Sequence, residues 1–383
     1  MPQEIKNSFG PVETVERAIR LQIERGNLMP GDRLLPEREL SRKYLVSRGT
    51  LRKALARIAA EGILRRKGRG GTLVVKSSER VTAGRVVTNT VIFGGVFEWA
   101  LPDMLVQHPW FYEMYKGAED AALAAGWNIV IQLGDSLRRH LAHLRESGTA
   151  RPAGIILSGH EGEALAEECE LLGVPSVLMD YPAMSNLFDS VVPDNYGSGQ
   201  LAADHLLRLG HTRLGTVAPR FEGKPTPPVG IRERLLGWSD ALTNRGLPVD
   251  PSCQLVVDVG EDDRISNKGA RDLHDFLREP SRPTAIFVPA HIPAINLYQA
   301  CLEAGLRVPQ DISLVVFDHV PAASSQNVKF TTCLVDREMM GRVAWECIQS
   351  RVERKTHVVM KRLLPAHLVE GQTTQRLALN VGV

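Results

Sequence analysis

The segment Glu37–Thr72, ERELSRKYLVSRGTLRKALARIAAEGILRRKGRGGT, decides how the N-terminal part of this chain folds. Leu51, Ala54, Leu55 and Ile58 recur at i, i+3, i+4 and i+7, so the spacing predicts a helix starting near Ser47 that buries this stripe. Arg48, Arg52, Lys53 and Arg57 then face outward. Ser47 is suited to cap the helix, its side-chain oxygen accepting an otherwise orphaned backbone N–H of the first turn. Just upstream, Glu39, Leu40, Tyr44 and Leu45 predict a shorter helix that ends before Val46. Two helices joined by so tight a turn describe a helix-turn-helix. Downstream, Ile63 and Leu64, the basic run Arg65-Arg66-Lys67, the glycines between Gly68 and Gly71 and the strand-like Thr72-Leu73-Val74-Val75 predict a two-stranded hairpin, a wing.

An ordinary amphipathic helix with a solvated basic face carries a similar run of charge. Here the basic residues gather at a helix start and again at a hairpin tip, on one side of a terminal segment, which points to nucleic acid. The net charge of +2 hides an asymmetry: residues 1–88 hold 19 Lys and Arg against 9 Asp and Glu, and the remainder 27 against 35. A basic small unit on an acidic large one suits a protein that holds a polyanion at one end only.

The same residues resemble the winged helix-turn-helix of GntR-type bacterial repressors. The shared phrases are Glu37-Arg38-Glu39-Leu40, Val46-Ser47-Arg48, Thr50-Leu51-Arg52-Lys53-Ala54-Leu55, Glu61-Gly62 and Gly71-Thr72. The chain departs from the family where Leu35 precedes Pro36 and where Arg69 stands at the first wing glycine. The resemblance implies that Arg38, Ser47, Arg48, Thr50 and Arg52 contact double-stranded operator DNA, with Arg69 an additional contact in the minor groove.

A chain of 383 residues exceeds one small domain and has room for two or three cores. It contains no run of 18 apolar residues to span a bilayer, and its start, MPQEIKNSFGPVETVERA, has no apolar signal core. Cys169, Cys253, Cys301, Cys333 and Cys347 are scattered without metal or framework spacing, so the expectation is a soluble cytoplasmic protein with reduced, buried thiols. Val12, Val15, Ile19 and Ile23, followed by Gly26, predict a first helix over Val12–Arg25 that supports the helix-turn-helix. The reading divides the chain into a DNA-binding domain at 1–76, a linker at 77–89 of mixed small and charged residues, and a large domain at 90–376.

From residue 90 the texture becomes short apolar runs alternating with helical segments: 91–97, 128–133, 154–158, 176–180, 213–219, 254–259, 285–290 and 313–318 read as strands, with helices such as 111–125, 196–209, 232–245, 270–278 and 293–304 between them. Strands apolar on both faces belong to parallel sheets covered by helices. The fold class is therefore α/β, two lobes with parallel sheets, and ligands of such sheets sit beyond the carboxyl ends of the strands.

This region resembles the sugar-binding domain of LacI/GalR repressors and periplasmic sugar-binding proteins, on the phrases His108-Pro109-Trp110-Phe111 with Gly117-Ala118-Glu119, Asp194-Asn195, His205-Leu206 with Leu209-Gly210-His211, Arg232-Glu233-Arg234 before Gly237-Trp238, and Val308–Leu314 ending in Phe317-Asp318. A GntR-type head on such a sensor is similar to the design of arabinose-responsive repressors. The resemblance implies a sugar or sugar-like effector between the lobes, with Trp110 and Phe111 stacking on it and Arg232 and Asp318 binding its polar groups. Asp180 ends a strand, and its position suits either a turn cap or a ligand contact. Where the family has Asn-Asp this chain has Ala290-His291, so the same resemblance places His291 in the cleft and sets the effector apart from the family's usual sugar. No phosphate-loop, nucleophile-elbow, HExxH or CxxC motif is present, and His140 and His143 lie beside Arg138 and Arg139 on an expected solvated face, so no catalysis, cofactor or metal is expected. The expected protein is a ligand-released repressor that binds palindromic DNA as a homodimer; the alternative is a small-molecule-binding or sugar-processing α/β protein with a basic attachment domain.

Overall fold

In the computed structural model, residues 12, 15, 16, 19, 23 and 28 are described, together with 31–377 except 45, 67–70, 76–88, 96–108, 148–151, 160–161, 172–173, 186, 224–225, 261–263, 321–327 and 354–357. Residues 77–88 of the expected linker, the wing tip with Arg69, and His108 fall outside the described residues. The chain forms two compact units: Met1–Thr88 with Phe97–His108 and Gln132–Arg151, and Asn89–Val96 with Pro109–Ile131 and Pro152–Val383.

In the first unit, helix α1 (Glu37–Lys43) and helix α2 (Arg48–Ala60) are separated by four residues, the tight turn of a helix-turn-helix. Ser47 caps α2 by accepting from the Thr50 N–H at 3.0 Å. Leu51, Ala54, Leu55 and Ile58 are all buried and share a core with Leu40, Val15, Ile19 and Ile23, so the helical residues near the start of the chain do support the motif. Gly62 has a φ of 76°, a left-handed conformation that costs glycine no Cβ clash and turns the chain out of α2. It leads into strand β1 (Leu64–Arg66), which pairs antiparallel with β2 (Thr72–Val74) in the register Leu64↔Val74, and Arg33 bridges onto Leu73. The wing is therefore a hairpin with a third short flank.

The second unit is built on two six-stranded sheets. The first has the order β13-β7-β6-β5-β3-β4, formed by β3 (Thr90–Gly95), β4 (Asn128–Leu133), β5 (Gly154–Ser158), β6 (Ser176–Met179), β7 (Asp189–Pro193) and β13 (Lys361–Leu364). The second has the order β14-β12-β11-β10-β8-β9, formed by β8 (Leu214–Phe221), β9 (Gln254–Val259), β10 (Ala285–Val288), β11 (Ser313–Phe317), β12 (Thr331–Val335) and β14 (Ala366–Val369). The described pairings are parallel except β12 with β14. Strands β5, β6, β10 and β11 are buried along their whole length, as expected of a sheet covered on both faces. The helices of this unit are α3 (Pro109–Ala124), α5 (Gly162–Leu171), α6 (Asn195–Arg208), α7 (Val229–Thr243), α8 (Asn267–Arg278), α9 (Ile292–Glu303) and α10 (Arg337–Val352), while α4 (Gly134–Ser147) falls in the stretch Gln132–Arg151 that belongs to the first unit.

Each sheet with its helices is a lobe, and the chain passes between lobes three times. It leaves β7 of the first sheet for α6, which packs on α7 and the second sheet; it leaves β12 of the second sheet for α10, which packs on α3, β5, β6 and β7 of the first; and it runs from β13 directly into β14. All five cysteines are buried, and burial pushes the Cys301 and Cys333 thiols up to about 12. No helix among the described residues is long and apolar enough to cross a membrane.

Candidate effector site and nucleic-acid interface

On the head, Arg38 of α1 and Arg48, Arg52, Lys53 and Arg57 of α2 are exposed. Ser47 is exposed with its hydroxyl 2.8 Å from that of Thr50, so one member of the expected contact set spends its oxygen on holding the helix start. Arg52 is oriented by Glu37 of α1, Nε to Oε2 at 2.7 Å. Both partners are substantially exposed, at 59% and 31%, so the pair is worth at most about 1 kcal/mol and releases readily to a phosphate or base edge.

At the carboxyl ends of the two sheets, Asp180 is the first residue past β6 and Asp318 the first past β11. Their φ angles of 64° and 77° are left-handed, rare for non-glycine residues, and both are held there by their own N–H groups, which donate to Val191 of β7 and Cys333 of β12. The two carboxylates meet one guanidinium. Arg337, the first residue of α10, is 5% exposed and donates from one terminal nitrogen to Asp180 Oδ1 at 2.7 Å and from the other to Asp318 Oδ2 at 2.5 Å. Asp336 before it caps the helix through Met339 N–H at 2.8 Å. The second oxygen of Asp318 accepts from His319 N–H at 2.9 Å. Burial alone would raise the Asp318 carboxyl, but Arg337, that N–H, His291 and Arg234 together hold it below the usual range; burial would lower Arg337, and the two aspartates raise it instead. Asp318 and Arg337 stay ionised.

Beside them lies a second, half-buried cation. Arg234 of α7 donates to Asn195 Oδ1 at 2.9 Å and to the Pro289 carbonyl at 2.7 Å, and its guanidinium lies 3.3 Å from the centre of the Phe317 ring. Burial pushes it down to about 9, against the pull of Asp318, so it remains charged at neutral pH. Asn195, the first residue of α6, in turn donates to Glu233 at 3.2 Å, and Asp194 caps that helix. Desolvation raises the Glu113 carboxyl of α3, and the negative charge of Asp318 adds to the rise.

Of the residues expected to bind an effector, Asp180, Asp318 and His291 converge here, His291 immediately before α9 and close enough for its charge to act on Asp318. Trp110 is half-buried in the first turn of α3, one turn before Glu113. Two expectations are corrected. Phe111 is 1% exposed and packs edge-on against Phe93 with ring centres 5.2 Å apart, so it is core. Arg232 is exposed; two residues on a helix are turned about 200° apart, so Arg232 points away from the face that presents Arg234. Arg337, Arg234 and Asn195 were not expected as site residues. The signal for Asn195 and Arg337 is a repeated phrase, Val192-Pro193-Asp194-Asn195 and Leu334-Val335-Asp336-Arg337: a strand, a capping aspartate, then a polar residue at the first helical position of a crossover.

Comparison with known proteins agrees with both halves. Residues 11–74 match the gntR family of bacterial regulatory proteins, and residues 203–374 match the periplasmic binding protein-like domain. The chain joins a gntR-family head to a periplasmic-binding-protein-like sensor. It is a ligand-responsive, DNA-binding transcriptional regulator. The HTH-type transcriptional repressor PurR of Aliivibrio salmonicida is 26% identical over 253 residues, 65% of this chain and 73% of that protein. The ribose operon repressor of Escherichia coli K12 is 27% identical over 255 residues, with the same shares covered. Among solved structures, the transcriptional regulator CelR in complex with cellobiose superposes with a TM-score of 0.62 over 89% of this chain and all of that one, at 20% identity. A LacI family transcriptional regulator from Enterococcus faecium with bound ribose gives 0.59 over 75% of this chain and all of that one, at 22% identity. Among the described residues no group of three or more His, Cys, Asp or Glu side chains is arranged to hold a metal ion.

Proposed function

We propose that this chain is a repressor whose head (residues 1–76, joined through 77–89) holds operator DNA and whose large domain (90–376) releases it on binding a sugar or sugar-like metabolite between its lobes. The observation that carries the reading is the convergence of Asp180, Asp318, Arg234 and Arg337 at the carboxyl ends of two parallel sheets. A polyhydroxylated ligand needs carboxylate lone pairs for its O–H donors, guanidinium forks for its oxygens and an aromatic surface for its C–H face. Trp110 supplies the surface, and each strand-end carboxylate retains lone pairs after pairing with Arg337. The similarity to repressors, and to regulators solved with ribose and cellobiose, supports the same ligand class. Arg38, Ser47, Arg48, Thr50 and Arg52 contact the operator, as does Arg69. The protein acts in the cytoplasm, by binding rather than catalysis, and as a homodimer, because one head reads too few base pairs for specificity and a two-fold pair matches a palindrome.

The test is operator binding by the full-length protein on DNA upstream of its own operon, combined with thermal unfolding against a panel of pentoses, hexoses, disaccharides and sugar acids. One compound should both stabilise the fold, by about 2.7 kcal/mol at 100 times its dissociation constant, and weaken operator binding. A protein that binds the DNA but is neither stabilised nor released by any of them does not have the effector class proposed.

A further inference from the structure

Arg337 performs a task that no expected contact covers. The helix that carries it follows β12 of the second sheet yet packs on α3, β5, β6 and β7, so both Arg337 and its partner Asp180 belong to the first lobe. Asp318 belongs to the second lobe, anchored by its N–H on β12. The 2.5 Å bond between Arg337 and Asp318 therefore crosses the cleft, while the 2.7 Å bond to Asp180 stays within one lobe. The guanidinium has been brought into the interior with its Nε buried and without a hydrogen-bond partner. A buried donor left unmatched is costly, and a guanidinium tolerates it only where strong partners compensate at its other nitrogens. Those partners are two carboxylates fixed in left-handed backbone conformations at equivalent places in the two lobes.

We propose that Arg337 is a positioning residue that stands in for part of a ligand: it draws Asp318 of the second lobe onto the first, so that the lobes rest closed before any effector arrives. The two strand-end carboxylates are then neutralised in advance, and the effector competes with a fixed internal cation rather than meeting bare acids. A cationic amine gains nothing from such a site, whereas an uncharged polyol finds oriented acceptors in it. An ordinary hinged binding domain populates the closed form through its ligand; here part of that closing free energy is built into the chain. The inference takes from the proposed function only the location of the cleft. Its test is made without effector, so an error in effector class leaves it standing, and a failure here leaves the repressor reading standing.

Labels for distance measurement are placed at Leu171→Cys in the first lobe and Leu302→Cys in the second, both exposed positions, in the full-length protein whose five native cysteines are buried. The distance is compared in ligand-free protein carrying the native Arg337, in Asp318→Asn, and in Asp180→Asn/Arg337→Met, the double change leaving no carboxylate without its guanidinium inside the first lobe. Both variants should lengthen or broaden the distance by more than about 2 Å, the scale of a domain rearrangement. Arg337→Lys, able to reach one carboxylate at a time, should give a mixture of the two distances. Unchanged distances in Asp318→Asn and the double variant overturn the proposal. So does a double variant that loses its first-lobe fold while Asp318→Asn keeps the native distance, since Arg337 would then be a folding residue of one lobe only.

Discussion

Arg232 and Arg234 differ by two positions in one helix and have opposite surroundings. In α7 the buried residues Ile231, Trp238 and Leu242 stand at i, i+7 and i+11, and Arg234 at i+3 falls on that stripe while Arg232 does not. The periodicity was thus available in the sequence, but an arginine on a buried stripe runs against the composition of cores, and a family phrase drew attention to its neighbour. Replacing Arg234 by Ala should remove response to the effector and, by leaving Asn195 Oδ1 and the Pro289 carbonyl without their donor, cost roughly 1–3 kcal/mol of stability. Arg232→Ala should leave effector affinity within twofold and stability within about 0.5 kcal/mol, as for an exposed side chain. Calorimetric titration of both variants with the effector and their denaturant midpoints decide it; loss of binding in Arg232→Ala alone would return that residue to the cleft. Phe111 shows a different limit. An aromatic at a helix start is equally suited to a core and to a ligand, and only the tertiary position of Phe93 separates the two.

The two lobes repeat one construction. In the first, α3 and α10 approach so closely that a Cβ on Gly117 would lie 1.9 Å from the Glu338 carbonyl, and one on Gly341 would lie 1.8 Å from that of Met114; in the second, α6 and α7 do the same through Gly199, at 1.9 Å from the Arg234 carbonyl, and Gly237, at 2.0 Å from that of Tyr196. These contacts are backbone on backbone, and no side chain can move aside. Gly341→Ala must therefore push α10 off α3, and overpacking of this kind costs about 1–3 kcal/mol, at roughly 2–4 °C of melting temperature per kcal/mol in a protein of this size. Gly199→Ala should do likewise and also displace the backbone that carries Arg234. Gly49→Ala, at an exposed helical position whose nearest neighbour is 3.7 Å away, should be neutral or stabilising. Thermal scans of the three variants check this, and an unchanged midpoint for Gly341→Ala would mean that the helices are less tightly apposed. The strands of the two sheets were legible as apolar runs, β4, β5 and β9 to the residue, although only β5 of these three is buried along its whole length. The stretch 331–369 was not, because β12 opens Thr331-Thr332-Cys333 and β13 and β14 alternate exposed and half-buried residues, so neither a continuous run nor a clean period stands out. Missing β12 hid the start of α10, and with it Arg337.

At the scale of the molecule, a ligand at the sensor acts on DNA only through a difference in free energy between two states of the whole protein. If the effector lowers operator affinity by some factor, the operator lowers effector affinity by the same factor, because both legs of the cycle close on the same coupling free energy. Values of 1–3 kcal/mol, or about 5–150-fold, are typical. Arg48→Ala should cost roughly 1–3 kcal/mol of operator affinity if it reads a guanine edge, and leave effector binding by the free protein as it was. Arg234→Ala should show the opposite pattern, with operator affinity near that of the native chain and no response to effector. The measurement is a pair of titrations for each protein at one fixed salt concentration, operator with and without effector and effector with and without operator, since phosphate contacts make either number meaningless if salt varies. Equal coupling factors in the two directions for the native chain, operator affinity lowered about 5- to 150-fold but intact coupling in Arg48→Ala, and no coupling in Arg234→Ala would tie the cleft to the groove through one equilibrium. An Arg234→Ala protein that is still released as the native chain is would separate the buried triad and its neighbours from the switch, and move the effector to another part of the sensor.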